Sequence, residues 1–484
     1  MGLLGILLAL GLLIYLAYRG WSTLILSPLL ALLAAFFAGQ PLLASWTQLY
    51  MTSAGGFFLQ YFPLFLLGAI FGKLMEDSGA MTTIANTMMQ HMGAKKAMLA
   101  VVLAGALVTY GGVSLFVAFF VLGPMAQALF RQAQIPRRLM PAALMLGTST
   151  FTMSAMPGTP SIQNAIPMPF LGTTPYAAPG LGLIASALML AVGLLWLGRA
   201  QRQAKAKGEG FGDDLALNVD ALTADDKLRE MAAITREFDT AELSKGQQSQ
   251  HMPGFWLALL PLLVVIAVNM VMSLWLLPNA NADYLAAPEW GSTNIHAVAG
   301  VWAVITALGS AIIVAIVINK KRLTALRKTL DAGANASVLP VINVACLVGF
   351  GAVIAALPAF QSVRDALLAM NAGPLVSMAL TTNILCALTG SASGGLTIAL
   401  DTLASTFMHQ AQAIGLDPAL LHRVAVLACG TLDSLPHNGA VITLLAVCGC
   451  KHKESYLDLF VVSILGAVTA LVAVLILGSL WGSF

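Results

Sequence analysis

Apolar residues run along this chain in long stretches separated by short polar seams, at about 2–17, 21–38, 56–75, 97–130, 139–172, 176–198, 254–278, 294–318, 337–357, 374–410, 419–449 and 456–481. Several approach the ~20 residues a helix needs to cross the hydrocarbon of a bilayer, so the pattern predicts an all-α, polytopic membrane protein. Four stretches are interrupted. Glycine and hydroxyl residues divide 97–130 at Thr109-Tyr110-Gly111-Gly112-Val113-Ser114 and 374–410 at Thr389-Gly390-Ser391-Ala392-Ser393-Gly394-Gly395. Polar runs containing proline divide the other two, Thr148 to Asn164 in one and Gly430 to Gly439 in the other. Hydrocarbon cannot hydrogen-bond an opened backbone, so such breaks persist at depth only where they are buried in protein or line a cavity. The first pair is read as re-entrant helical hairpins and the second as broken helices.

The breaks stand in register. Gly93 and Gly373, Thr109 and Thr389, Pro157 and Pro436, Tyr176 and Tyr456, and Gly198 and Gly478 are all separated by roughly 280 positions, as are Gln132-Ala133-Gln134 and Gln410-Ala411-Gln412. A near-constant offset over more than a hundred residues points to internal duplication. The chain divides into a first repeat at 1–198, a linker at 199–252 and a second repeat at 253–484. The linker is the one soluble-looking segment, with helical character at 221–243.

Composition narrows the class. With 58% hydrophobic and 9% charged residues and a mean hydropathy of +0.86, the chain departs far from a water-soluble domain. The net charge of +3 does not suggest nucleic acid as a partner; the relevant surface is the lipid bilayer. Five crossings per repeat, an odd number, would invert the second copy relative to the first. A cytoplasmic linker then places nearly every basic residue inside, Lys73 among them, with Arg364 and Arg423 outside, as the positive-inside rule demands. Both termini face away from the cytoplasm. The opening Met1-Gly2-Leu3-Leu4 run lacks a basic n-region and reads as the first spanning helix. The five cysteines have no framework spacing and read as small core residues.

The chemistry follows from the breaks. The hairpin tips offer hydroxyls and freed amides to an anion through Thr109, Gly111, Gly112 and Ser114 in the first repeat and Thr389, Ser391 and Ser393 in the second. In the broken helices, Pro157, Pro160 and Pro436 prevent a continuous helix. Thr159, Ser161, Gln163 and Asn164, with Ser434, His437 and Asn438, supply hydrogen bonds to a carboxylate or hydroxyl. This reading places no Lys or Arg deep in a span, so the anion would be held by dipoles and neutral donors. Asp433, Asp401 and His437 are the candidate proton carriers. Glu76 and Asp77 end the third helix and read as solvated. Residues 78–93 and 360–372 look amphipathic and read as interfacial arms. No motif of a hydrolase or metalloenzyme is present, so the chain reads as no enzyme, with no cofactor and no metal; the proton is the coupling ion, sodium being the alternative.

The glycine-rich hairpins, the Ala155-Met156-Pro157-Gly158-Thr159-Pro160 break and the Ser434-Leu435-Pro436-His437-Asn438-Gly439 break resemble those of the gluconate permease (GntP) family of proton-coupled symporters in the ion-transporter superfamily. The resemblance spans nearly the whole chain. It implies inverted repeats with re-entrant hairpins, a homodimer, elevator-like motion, and import of small hydroxycarboxylates with protons across the bacterial inner membrane. Sugar-acid members usually carry Pro-Pro-His-Pro-Gly-Pro in the first break and His-Val-Asn-Asp in the second. The absence of the first histidine here, among methionine-rich surroundings, resembles the branch that handles hydroxybutyrate and other short hydroxy acids.

Overall fold

The computed structural model describes residues 2–19, 21–93, 96–212, 249, 251–360, 373–389, 391–436 and 438–484. The predicted helix at 221–243, most of the second predicted arm, and His437 lie outside them. Among the described residues every regular element is helical. In chain order these are α1 (Gly2–Tyr18), α2 (Thr23–Phe37), α3 (Leu42–Asp77), α4 (Ala80–Met92), α5 (Ala97–Tyr110), α6 (Leu115–Gln132), α7 (Met140–Thr148), α8 (Ile162–Ala165 continued by Pro167–Leu171) and α9 (Pro179–Ala206). After the linker come α10 (Phe255–Asn279), α11 (Ile295–Ile318), α12 (Leu326–Ala356), α13 (Gly373–Thr389), α14 (Ala392–Ala413), α15 (Pro418–Cys429), α16 (Gly439–Val447) and α17 (His452–Trp481).

Six of the described helices, α3, α9, α10, α11, α12 and α17, are long and apolar enough to cross a membrane. Large apolar side chains cover their outer faces, including Leu59, Leu195, Ile313 and Leu480, and exposed tryptophans sit near helix ends at Trp21, Trp256, Trp275 and Trp481. Lipid rather than water is the solvent such a surface suits. Two lengths differ from expectation. At 17 and 15 residues, α1 and α2 fall short of a full span. In contrast, α3 begins at Leu42, well before the apolar stretch at 56–75, because its first turns tolerate Thr47, Gln48, Thr52 and Ser53 through a π-helical segment at Ser45–Tyr50.

Packing sorts the helices into two sets. α3 and α12 lie against each other along most of their lengths, flanked by α2 and α11, while α1 packs on α2 and α10 on α11. Small residues bring the central pair close: a Cβ on Gly333 would stand 2.7 Å from Ile70 Cα, and one on Gly349 would stand 2.8 Å from the Tyr50 carbonyl oxygen. Polar bonds tie the same set, with Thr23 Oγ1 donating to Asn343 Oδ1 at 3.0 Å and Tyr50 OH to Ser27 Oγ at 3.1 Å. The other set joins α5 to α6 and α7, α13 to α14 and α15, and α9 and α15 to α17. The sets meet where α14 packs on α12 and α8 packs on α11.

Candidate functional site

The two interrupted hairpins end in this seam between the sets. α5 stops at Tyr110, Gly112 takes φ +96°, and α6 starts at Leu115. Only glycine suits that conformation, and a Cβ there would also crowd Pro160 Cγ at 3.1 Å. In the second hairpin the helix restarts at Ala392, where Ser391 Oγ accepts the Gly394 amide at 3.2 Å. Ser114, at the corresponding start of α6, makes no side-chain cap.

In the first broken helix, α7 ends at Thr148, a single turn forms at Phe151–Ser154, and α8 begins at Ile162. The hydroxyls of this run take up the carbonyls that unwinding exposes. Thr148 Oγ1 donates to Leu144 O at 2.8 Å, Thr150 Oγ1 to Leu146 O at 2.7 Å, Thr152 Oγ1 to Gly147 O at 3.1 Å and Ser161 Oγ to Met153 O at 2.7 Å. Backbone satisfaction thus accounts for much of the polar composition here. Gly158, at φ +77°, lies against Tyr176, whose ring would be 2.5 Å from an added Cβ. The Tyr110 hydroxyl and the Asn269 amide hold the Pro157 and Gly158 carbonyls at 2.9 and 2.8 Å.

A cavity of about 150 Å³ opens between the hairpin tips, the first break and the two central helices. A single water needs only ~10–15 Å³, so the space suits a small organic solute. Of the residues expected to bind substrate, Thr109, Gly112, Ser114, Ser161, Gln163 and Ser393 line it. Gln163 is 5% exposed, and its Oε1 is buried with no hydrogen-bond partner. A buried acceptor left this way costs roughly 1–3 kcal/mol, so a ligand hydroxyl or a water placed here would be strongly held.

The remaining expected residues sit elsewhere. Gly111 packs on Leu262. Thr159 is fully buried, its Oγ1 accepting the Ser161 amide. Asn164 donates to the carbonyls of Thr159 and Pro175 and is bonded through Oδ1 to His422 at 3.1 Å. The Thr389 hydroxyl donates to Leu385 O at 2.8 Å. In the second break Asn438 Oδ1 accepts the amides of Ala440 and Val441 at 2.7 and 3.3 Å, capping α16. Ser434 donates to Asp433 Oδ1 at 3.1 Å, and none of Asp433, Ser434 or Asn438 reaches the cavity lining. Asp401 lies on an exposed face of α14.

Two readings of charge need correction. Asp77 is buried and Glu76 half-buried, and two basic side chains are buried in the protein. Lys73 is 7% exposed and Asp77 2%; Lys73 Nζ stands 3.2 Å from Glu76 Oε2 and 3.2 Å from Asp77 Oδ1. Thr329 on α12 donates to Asp77 Oδ2 at 2.6 Å. Lys73 and Glu76 both line the cavity, on the α3 face that also carries Phe65, Gly68, Ala69 and Gly72. These positions recur at three- and four-residue steps, and that stripe of small residues leading to a lysine was the available signal. The second correction is Arg423, a basic residue fully buried within α15. Its guanidinium donates to Ala177 O at 3.1 and 2.6 Å and to Ala155 O at 3.0 Å.

Residues 1–169 match the family model described as GntP family permease. The chain is also 40% identical over 482 residues to a Bacillus subtilis (strain 168) protein named Uncharacterized transporter YxjC, a match covering 98% of each. This chain belongs to the GntP permease family. A shorter match, 33% identical over 104 residues, is to the High-affinity gluconate transporter of Escherichia coli (strain K12), covering 21% of this chain and 23% of that one. The permease is therefore a multi-pass membrane transporter and not an enzyme.

Proposed function

We propose that this permease imports a small organic anion, a short hydroxymonocarboxylate such as 3-hydroxybutyrate or a gluconate-like acid, by proton symport across the bacterial inner membrane. The observation that carries the reading is the cavity itself. Two hairpin tips, the first break and the central helices converge on a space that presents the Ser114, Ser161 and Ser393 hydroxyls, the Lys73 ammonium and the unpartnered Gln163 Oε1. An ammonium and hydroxyls suit a carboxylate, and a lone buried acceptor suits a hydroxyl on the same solute. The recurrence of one order of elements on either side of the linker supports two inverted repeats. So does the placing of Tyr176 against Gly158 and of Tyr456, whose hydroxyl donates to Ser434 O at 3.2 Å. In this arrangement both hairpins are re-entrant and both termini are periplasmic. The set containing the hairpins and broken helices moves, elevator-like, against the α3–α12 scaffold of a homodimer.

Thermal stabilisation of the purified permease by a panel of hydroxy acids tests the substrate class, because a ligand that binds only the folded form raises apparent stability. A shift with 3-hydroxybutyrate or gluconate is expected. A panel in which no carboxylate shifts the transition removes the reading. Uptake into vesicles with and without sodium, and with a proton uncoupler, tests the coupling. Accumulation that needs sodium and survives the uncoupler would replace the proton with sodium.

A further inference from the structure

The Lys73 cluster holds one ammonium against two carboxylates in a buried place at the edge of the cavity. The carboxylates are not equivalent. Asp77 is fixed from outside its own helix by Thr329, and its backbone carbonyl accepts the Ser249 amide at 2.8 Å. Glu76 is held by Lys73 through a 3.2 Å hydrogen-bonded ion pair and faces the cavity. Among the described residues, the charges acting on Glu76 are those of Lys73 and Asp77. On the neighbouring elements, Arg327, Lys328 and Asp331 of α12 and His251 beyond the linker are exposed, and Arg327 pairs with Asp331 at 3.7 Å. Among the described residues, α4, α5, α6 and α11 bring no acidic or basic side chain to the cavity lining.

Lys73, Glu76 and Asp77, all ionised, sum to one net negative charge. An anion in the adjoining cavity would make two, in surroundings where unit charges interact far more strongly than in water. One proton on a carboxylate restores the balance, and Glu76 is the carboxylate that can give up its ion pair without disturbing a bond to another helix. Resting on the reading of the cavity as an anion site, we propose that Glu76 takes up the proton that accompanies the anion, and that Lys73 turns from Glu76 to the anion's carboxylate. The bond formed is O–H on Glu76, the proton comes from the aqueous side, and nothing is oxidised or reduced. Loss of that proton after release returns Lys73 to Glu76.

The test is proton uptake on binding, followed with an indicator dye in weakly buffered solution after 3-hydroxybutyrate at matched pH is added to the full-length permease. Wild type is expected to take up about one proton per anion bound, with affinity falling as pH rises. Glu76→Gln is expected to take up none and to bind with a flat pH profile, while Glu76→Asp restores uptake. Wild-type uptake persisting in Glu76→Gln overturns the proposal, as does its loss in Asp433→Asn instead. Infrared difference spectra of wild type need no variant: a protonated-carboxyl band appearing on binding shifts with ¹³C-glutamate labelling if the proposal holds. A band that shifts only with ¹³C-aspartate overturns it. Binding without proton uptake defeats this proposal alone, whereas absence of binding by any carboxylate defeats the anion site as well.

Discussion

The two broken helices carry similar sequence signals and are put to different use. The first, between Thr148 and Ile162, is held from the other half of the chain by Arg423 on the Ala155 carbonyl, His422 on Asn164 and Asn269 on the Gly158 carbonyl, and it delivers Ser161 and Gln163 to the cavity. The second closes on its own half. Asn438 caps α16, Thr431 donates to Asn383 Oδ1, and Tyr456 and His452 meet the Ser434 and Pro436 carbonyls at 3.2 and 3.0 Å. An unwound helix at membrane depth must have its backbone satisfied, but the partner decides what is left for a ligand. Distant helices hold the first break open toward the cavity, whereas its own side chains fill the helix end of the second.

The largest way to break that difference is at Arg423. Arg423→Met removes the donors from two buried carbonyls, each costing roughly 1–3 kcal/mol when left unmet, so a loss on the order of 3 kcal/mol is expected. Because detergent-solubilised permeases unfold irreversibly, the measure is the inactivation half-life at fixed temperature. An unchanged half-life would show that the first break does not depend on its clamp. Gln163→Leu separates binding from stability at the same break. It removes an unpartnered buried acceptor, so stability holds or rises. Affinity for the hydroxy acid is expected to drop about tenfold, near 1.4 kcal/mol, by titration calorimetry. A fall in stability with unchanged affinity would give Gln163 a structural role instead. Asn438→Ala tests the second break, where loss of the cap should cost about 1 kcal/mol in the same inactivation assay. A cost as large as that of Arg423→Met would erase the contrast.

What could be read in advance follows the range of the interactions involved. The hairpin turns and the breaks were legible because glycine at Gly112 and proline at Pro157, Pro160 and Pro436 act locally. A membrane class follows from composition just as directly. The uses of the polar residues were not legible, because they depend on partners far away in the chain. Asn164 and Asn438 look alike as donors until His422, 258 positions from Asn164, claims one and the α16 amides claim the other. Arg423 enters the count of basic residues only as one of two placed outside. Only the fold shows that carbonyls from the first half receive it, 246 and 268 positions away. Lys73, Glu76 and Asp77 at the end of α3 have the composition of a solvated helix terminus. Their burial needs α12 and Thr329, which no local pattern announces.

The smallest effect belongs to the contact between the residue stretch that follows α9 and the one that precedes α7. Arg138 bonds Glu209 through Nε and Nη2 at 2.8 and 3.1 Å and reaches Asp458 on α17 at 2.8 Å, where Trp196 of α9 also donates at 2.9 Å. Hydrogen bonds from Arg138 hold the Glu209 carboxyl below its ordinary range, and they hold the guanidinium above its own. A carboxylate depressed in the folded state adds stability that is fully present above its unfolded value, about 4.3, and is lost as pH falls through the folded one. Glu209 is partly exposed, so solvent screens the pair to no more than tenths of a kcal/mol. Glu209→Gln is therefore expected to match wild type only once pH has fallen below the folded-state value, and to trail it slightly at neutral pH and low salt. The gap should close in 1 M salt, where the Debye length is ~3 Å. Unlike the clamp at Arg423, which buried carbonyls shield from ions, this contact answers to pH and salt. A gap that persisted in high salt would mean this contact is as dry as the first break.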